Sequence, residues 1–203
     1  MKKREYDIPD YRGNYTEVGT SVLRNKLDIT DEYEIQVQET IGFTKAYRHF
    51  ANELTKDTVF NNVYICSIHK MALEHLYYFA GMYRKVDLSK AGHNFFPVSH
   101  IHTAMTYYEK EYLSNLPADY KSKEELILDL AKTHIELIHI HPFREGNGRT
   151  SRIYANLISL RAGFGEIKLE NFSRKYYDRY INALNEGDNL NYEPMISIIG
   201  ELL

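Results

Sequence analysis

The stretch His141-Pro142-Phe143-Arg144-Glu145-Gly146-Asn147-Gly148-Arg149-Thr150-Ser151-Arg152 packs an imidazole, a carboxylate, guanidiniums and a Gly-Asn-Gly turn into one short segment. Before it, Ser122 opens the run SKEELILDLAKTHIELIHI, with apolar residues at Leu126, Ile127, Leu130, Ala131, Leu137 and Ile138. That is helical spacing. Pro142 must stop the run, because the residue before a proline avoids the α region. Helical spacing restarts at Ile153, Leu157 and Leu160 and ends at Gly163 and Gly165. The stretch is therefore the joint between two helices.

A glycine-rich turn that opens a helix is an anion site, since backbone N–H groups and the helix dipole face the ligand together. Arg149 and Arg152 stand three apart, on one face of the first turn, and suit a polyphosphate. Glu145 beside a phosphate would repel it unless a cation lay between them. One Mg²⁺, held by a single carboxylate and phosphate oxygens, resolves the conflict. Asn147 can donate an amide hydrogen bond to a phosphate oxygen. His141 can take a proton from an incoming hydroxyl, since an imidazole ordinarily titrates near pH ~6.5. The set reads as phosphoryl- or nucleotidyl-group transfer. It is not a Walker A loop, because no Gly-Lys-Ser/Thr follows. It is not a dinucleotide fingerprint either, because the third glycine is missing and a helix precedes the turn. The competing reading is a plain helical hairpin with solvated arginines and His141 capping the preceding helix.

Outward from the joint, the chain reads as one mostly helical domain. Thr30 and Asp31 can cap a helix with apolar positions Val37, Ile41, Ala46, Tyr47, Phe50, Ala51 and Leu54. A second helix is expected over about 61 to 79, ended by Gly81. Residues 83–98, YRKVDLSKAGHNFFPV, break the pattern and read as a short hairpin or flap. Helical spacing resumes from Ser99 to Leu116. Phe172 to Leu184 forms a further helix, EGDNLNY a loop, and Pro194 suits the first turn of a last helix. The expected fold is all-α, a helical bundle with a small β-hairpin flap. Its organisation is an N-terminal arm over 1–20 and a single domain over 21–203.

Composition narrows the function classes. Hydrophobic residues make up 43% of the chain and charged residues 26%, enough apolar material for a real core. The net charge of -3 gives no electrostatic case for direct nucleic-acid binding. Cys66 is the lone cysteine, which excludes an intrachain disulfide and fits a reduced, cytoplasmic setting. No apolar run reaches the length of a membrane span, and MKKREYDIPDYRGNY has no apolar segment of a signal peptide. His134, His139 and His141 cluster in sequence, as do His100 and His102. Residues two apart on a helix point to different faces, however, so neither group chelates zinc well.

HPFREGNGRTSR fills every defined position of the Fic signature, His-x-Phe-x-(Asp/Glu)-Gly-Asn-Gly-Arg-x-x-Arg, and the chain resembles that family. GTSVLRNKLDITD (19–31), IHKMALEHLYYFAGMYRKVDLSK (68–90) and NALNEGDNLNYEPMISII (182–199) are similar to the stand-alone bacterial Fic proteins, also called cell filamentation proteins. Tyr78 stands where a Trp is common. The resemblance implies a protein adenylyltransferase that moves AMP from ATP, with Mg²⁺, to a Ser, Thr or Tyr hydroxyl. It implies His141 as the base and Glu145 as the metal ligand. Gly146, Asn147, Gly148 and Arg149 would grip the phosphates, with Arg152 at the distal end. Phe143 would anchor the loop in the core. Tyr177 and Asn185, with Tyr180 as an alternative, are candidates for the adenosine side. A flap of His93, Asn94, Phe95, Phe96, Pro97 and Val98 would pair with an extended segment of the target protein. Gly148 stands where the phosphorylating branch of the family has a lysine, which favours AMP transfer.

Many Fic proteins carry an inhibitory helix with the pattern Ser/Thr-x-x-x-Glu-Gly/Asn. Glu145, Glu170 and Glu186 are followed by Gly or Asn, but His141, Glu166 and Asn182 stand four residues earlier. The motif is absent. The resemblance then implies a toxin whose small antitoxin supplies that helix in trans and occupies Arg152. Type II topoisomerase ATPase subunits are the implied candidate targets. Two alternatives stay open: a nucleotide-binding interaction module of the same fold, and transfer of a different nucleotide monophosphate.

Overall fold

The computed structural model describes residues 21–90, 93–167 and 177–203. The arm expected over 1–20, the flap tip at 91–92 and the helix start at 172–176 lie outside the described residues.

The described elements are helices joined by short turns, with one small hairpin. Helix α1 spans Glu32–Asn52, α2 Asn62–Leu73, α3 Ile101–Tyr108, α4 Lys123–Ile140, α5 Asn147–Arg161, α6 Tyr177–Gly187 and α7 Glu193–Leu202. Strands β1 (Ser89–Lys90) and β2 (His93–Asn94) pair antiparallel, Ser89 with Asn94 and Lys90 with His93. The all-α expectation with a small hairpin flap holds. Three helix starts carry the side-chain caps that satisfy otherwise orphaned N–H groups. Asp31 accepts from Glu34 N, Asn61 from Tyr64 N and Ser122 from Glu125 N. The Ser99–Leu116 run divides into a 3₁₀ turn, α3 and one π turn, in which Ser114 N donates to Glu109 O. Pro194 lies in the first turn of α7.

Two apolar cores meet at the motif loop. The larger one runs between α2, α3, α4, α5 and α7 and includes Phe143. The smaller one gathers Val22, Leu23 and Ile29 with α1 and the end of α2, and includes Phe43 and Leu73. Within this frame α4 packs on α5 and α7, α6 packs on α7, and α1 packs on α2.

Two boundaries and one face differ from the sequence reading. Helix α2 ends at Leu73, well before Gly81, and continues as tight turns in which Leu76 N and Tyr77 N both donate to Leu73 O. Those turns still bury Leu76 and Tyr77, so the apolar pattern outlasts the helix. Helix α6 reaches Gly187, taking in the first part of the expected loop. On α1, Val37 and Ile41 face outward, and the buried set is Ile35, Glu39, Gly42, Phe43, Ala46 and Phe50. The cause is Gly42. A Cβ there would sit 1.9 Å from the Ala72 carbonyl oxygen, so α1 and α2 touch backbone to backbone on that side.

Gly42→Ala therefore forces the two helices apart. The expected cost is about 1–3 kcal/mol, as for overpacked cores. At roughly 2–4 °C per kcal/mol for a chain of this size, thermal melting reads it as a clear drop in Tm.

Candidate active site

The site begins with a reversal of the chain. Pro142 ends α4, and His141 takes the left-handed conformation at φ 52, so its ring leaves the helix axis. Gly146 then turns the chain into α5 at φ 80. A Cβ at Gly146 would lie 2.9 Å from the Phe43 ring and 3.2 Å from Leu73, so the turn is seated directly on the smaller core. Asn147 clasps the loop. Its Oδ1 accepts from Phe143 N and its Nδ2 donates to Phe143 O, both at 2.8 Å. Asn147 is 2% exposed. The expectation that its side-chain amide reaches a phosphate is thereby corrected: the amide is buried and occupied in closing the loop. What Asn147 offers an anion is its backbone N–H in the uncapped first turn of α5.

Phe143 is core, as expected, at 1% exposure. His69 of α2 stacks on its ring, centroids 3.9 Å apart. Nδ1 of His69 accepts from Gly81 N at 2.8 Å, so its proton sits on Nε2, which donates to the Glu145 carbonyl at 2.9 Å. Burial pushes this imidazole down to about 4, against the opposing effect of the carbonyl bond. A neutral, single-tautomer histidine thus pins the motif loop from below.

The His141 ring is fixed on two sides. Its Nδ1 lies 3.0 Å from the Ile138 carbonyl, which can only accept, so Nδ1 carries the proton and the lone pair sits on Nε2. Phe95 of the flap stacks on the ring, centroids 3.7 Å apart. Arg84, 4% exposed, binds the end of α4 and the flap together. It donates to the carbonyls of His141 and Val86 at 2.8 and 2.6 Å, and also to Phe96 O. A guanidinium at a helix C-terminus satisfies orphan carbonyls and suits the dipole.

Arg149 is set between two carboxylates. Its Nη2 lies 2.8 Å from Glu39 Oε2 and 3.3 Å from Glu145 Oε1, and its guanidinium sits 4.5 Å over the Phe43 ring. Burial opposes its charge, but Glu39 and Glu145 outweigh that and hold it above the ordinary arginine value. Glu145 Oε1 also accepts from Gly146 N at 2.8 Å. One oxygen of Glu145 is thus committed to the loop, leaving Oε2 to serve a cation. Among the described residues no group of three His, Cys, Asp or Glu could hold a metal. A lone carboxylate oxygen fits a hard ion such as Mg²⁺, which draws its other ligands from water and phosphate.

These groups open on one pocket of about 650 Å³. It is lined by His141, Glu145, Gly146, Asn147, Gly148, Arg149 and Arg152 from the motif. Tyr177, Tyr180, Ile181, Leu184 and Asn185 line it from α6, and Phe95 and Lys90 from the flap. The motif residues named from sequence for the phosphates, the metal and the base, and both adenosine-side candidates with their alternative Tyr180, line this pocket. Of the flap residues His93, Asn94, Phe95, Phe96, Pro97 and Val98, Phe95 reaches the pocket. The N–H groups of Phe95, Phe96 and Val98 are already bonded within the chain, to Leu88 O, His139 O and Asp87 Oδ1. These three N–H groups are therefore committed within the chain. The clustered histidines go separate ways: His134 Nδ1 meets Ser151 Oγ, its Nε2 meets Tyr180 OH, and His139 Nε2 meets the Leu184 carbonyl. Burial, aided by the charge of Arg152, pushes His134 down to about 3.

Sequence reasoning missed Glu39, His69, Tyr77, Arg84 and His134, each of which shapes the site through another residue. A polar residue in phase with a buried face was the available signal for His69, which shares its face of α2 with Ile65 and Ala72. Nothing in the spacing marks Arg84.

The Fic/DOC family model matches residues 59–159. Among curated proteins, the chain is similar to "Protein adenylyltransferase Fic" of Nematostella vectensis, 29% identical over 83% of this chain and 39% of that protein. A protein of the same name from Culex quinquefasciatus is 29% identical over 89% of this chain and 35% of its own length. The chain therefore spans little more than a third of the curated relatives it matches. Among solved structures, BepC of Bartonella tribocorum with bound AMPPNP aligns at TM-score 0.78, with 22% identity, over 93% of this chain and 95% of that one. A Bartonella quintana Fic domain with bound ADP aligns at 0.76, with 21% identity, over 93% and 94%. No helix among the described residues is long and apolar enough to cross a membrane.

The two buried neutral histidines set a pH dependence. In the unfolded chain they titrate near the ordinary 6.5, and in the folded chain only near 4 and 3. Below about 6.5 the unfolded state takes up protons the folded state refuses, so their stabilisation is complete above that pH and lost as pH falls toward 4 and 3. Melting temperature is expected to drop steadily between about pH 6.5 and 4. The drop should be shallower in His134→Gln, as measured by melts across a buffer series.

Proposed function

We propose, on the premise that residues 59–159 of this chain are a Fic/DOC family domain, that it is a protein adenylyltransferase. It transfers AMP from MgATP to a hydroxyl side chain of a target protein. One observation carries the reading. His141 holds its proton on Nδ1 against the Ile138 carbonyl, so Nε2 is basic in the same pocket as an uncapped helix N-terminus and two arginines. The names of the curated relatives, and the nucleotides bound in the similar Bartonella structures, support ATP as the donor.

In this reading the triphosphate lies along the first turn of α5. The N–H groups of Asn147, Gly148 and Arg149 and the Arg152 guanidinium neutralise its oxygens. Glu145 would hold Mg²⁺ through Oε2, and that ion supplies charge neutralisation on the phosphates. Nε2 of His141 accepts the proton of the target hydroxyl as its oxygen bonds to the α-phosphorus. The bond to the bridging β-oxygen breaks, and pyrophosphate leaves with the electron pair. Tyr177 and Asn185 flank the adenosine. The flap positions the target segment beside Phe95.

We further propose that the chain acts in the cytoplasm as the toxin of a toxin–antitoxin pair. The support is that no Ser/Thr-x-x-x-Glu-Gly/Asn motif occurs within residues 1–203; in this reading a helix from a separate small protein supplies it against Arg152. Recovery of such a protein by co-purification from the native operon tests this, and a stable, active chain with no small neighbour counts against it.

The decisive assay is transfer of label from ATP carrying ³²P at the α-phosphate to protein in a host lysate. His141→Ala is expected to lower transfer by about 10²–10⁴. The labelled band names the target, with a type II topoisomerase ATPase subunit the first to probe. Label from the γ-position instead favours a kinase-like reaction. Binding of nucleotide with no transfer from either position favours the interaction module or another nucleotide donor.

A further inference from the structure

We infer that Glu39 of α1 is a positioning residue for this site, fixing the Glu145 carboxylate through Arg149 and so the affinity for metal-bound nucleotide. The inference rests on the nucleotide-transfer reading above and concerns a residue outside the segment 59–159.

The geometry is a chain of four side chains. The Tyr77 hydroxyl donates to Glu39 Oε1 at 2.7 Å. Glu39 Oε2 lies 2.8 Å from Arg149 Nη2. The same nitrogen lies 3.3 Å from Glu145 Oε1. Glu39 is 4% exposed and Tyr77 2%, so the outer half of the chain is locked in the interior. Phe43, one turn on from Glu39 along α1, lies under the guanidinium and blocks its swing to that side. Arg149 is thus held from the α1 side by Glu39, itself fixed by Tyr77, and by the Phe43 ring.

The consequence falls on Glu145. A carboxylate that must present one oxygen to a cation needs its other oxygen held, and groups that hold a ligand govern metal affinity nearly as strongly as the ligand does. Gly146 N–H and Arg149 hold Oε1. The backbone donor stays with the loop. The arginine depends on Glu39. Were Arg149 released, its guanidinium could turn to bind both Glu145 oxygens as a fork, the geometry arginine favours with a carboxylate. Oε2 would then be lost to the cation. Glu39 opposes this by holding Nη2, the nitrogen that also reaches Glu145 Oε1, at the shorter distance of 2.8 Å. Nη1 of Arg149 is buried and has no hydrogen-bond partner among the described residues, which is the mark of a guanidinium held by its surroundings and not by a best fit to one carboxylate.

The test is isothermal titration of the full chain with AMPPNP, once with Mg²⁺ and once with EDTA. Glu39→Gln is expected to reduce the gain in affinity that Mg²⁺ brings by roughly ten- to hundredfold. Tyr77→Phe should move it in the same direction and by less. Affinity in EDTA should stay at the wild-type value for both. If Glu39→Gln weakens binding equally with and without Mg²⁺, its role is merely structural and the inference is overturned. If Glu39→Gln leaves both affinities unchanged, or tightens either, the inference is likewise overturned. A wild-type chain that binds no AMPPNP in Mg²⁺ overturns the transferase reading itself, a result visible before any variant is made. Should Glu39→Gln fail to fold, Glu39→Asp keeps the charge but withdraws it from Arg149, and carries the same expectations.

Discussion

The turn between α4 and α5 exists because one amide closes it. Pro142 forbids the helix to continue, and His141 and Gly146 take left-handed backbone to reverse the chain. Left-handed backbone is costly for a residue with a side chain. The Asn147 amide offsets that by bonding both polar groups of the Phe143 backbone inside the protein. With the clasp made, Phe143 drops into the larger core, Gly146 sits on the smaller one, and the first turn of α5 keeps its N–H groups uncapped. Everything chemical about the site is a by-product of that closure: where the His141 ring points, where Glu145 hangs, and which donors are left for an anion.

Charge inside the site is balanced by neutral groups as much as by ion pairs. His69 and His134 are buried and kept neutral, so each can hold a partner without adding positive charge to a pocket already rich in arginine. His69 holds the Glu145 carbonyl, and His134 holds Ser151 and Tyr180. The arginines divide their work. Arg149 is flanked by Glu39 and Glu145 and acts mainly through position, because its charge is largely cancelled where it sits. The field for an anion then falls on Arg152 and the helix N-terminus.

How much of this is legible in the chain depends on whether a residue acts locally. The joint, its caps and the motif side chains are local. Ser122, Asp31 and Pro142 mark helix ends by their own chemistry, and the residues 141–152 meet because they share one turn. The pocket's α6 wall was reached through resemblance, and the structure brings Tyr177 and Asn185 to it. The face of α1 was not legible. Val37 and Ile41 look like core, yet the helix turns them outward because Gly42 meets the Ala72 carbonyl at a distance no pattern of hydrophobicity encodes. The same rotation buries Glu39, a residue that periodicity alone assigns to solvent. Arg84 escapes for another reason: the backbone carbonyls it binds at the end of α4 and in the flap carry no sequence at all.

The groups to which the proposed chemistry falls and the groups that hold them therefore occupy different parts of the chain. His141, Glu145, Arg149 and Arg152 all fall between residues 59 and 159, where the family match lies. Their supports reach beyond it on both sides. Glu39 and Phe43 come from α1, and Tyr180, Leu184 and Asn185 come from α6. A segment cut to the matched boundaries would keep every motif residue. It would lose the carboxylate opposite Arg149, the ring beneath it, and the wall that shapes the far end of the pocket. A side chain whose position is fixed by a distant helix brings its chemistry only when that helix is present. On this physical ground the site extends beyond the matched segment, and α1 is as much a part of it as the loop it faces.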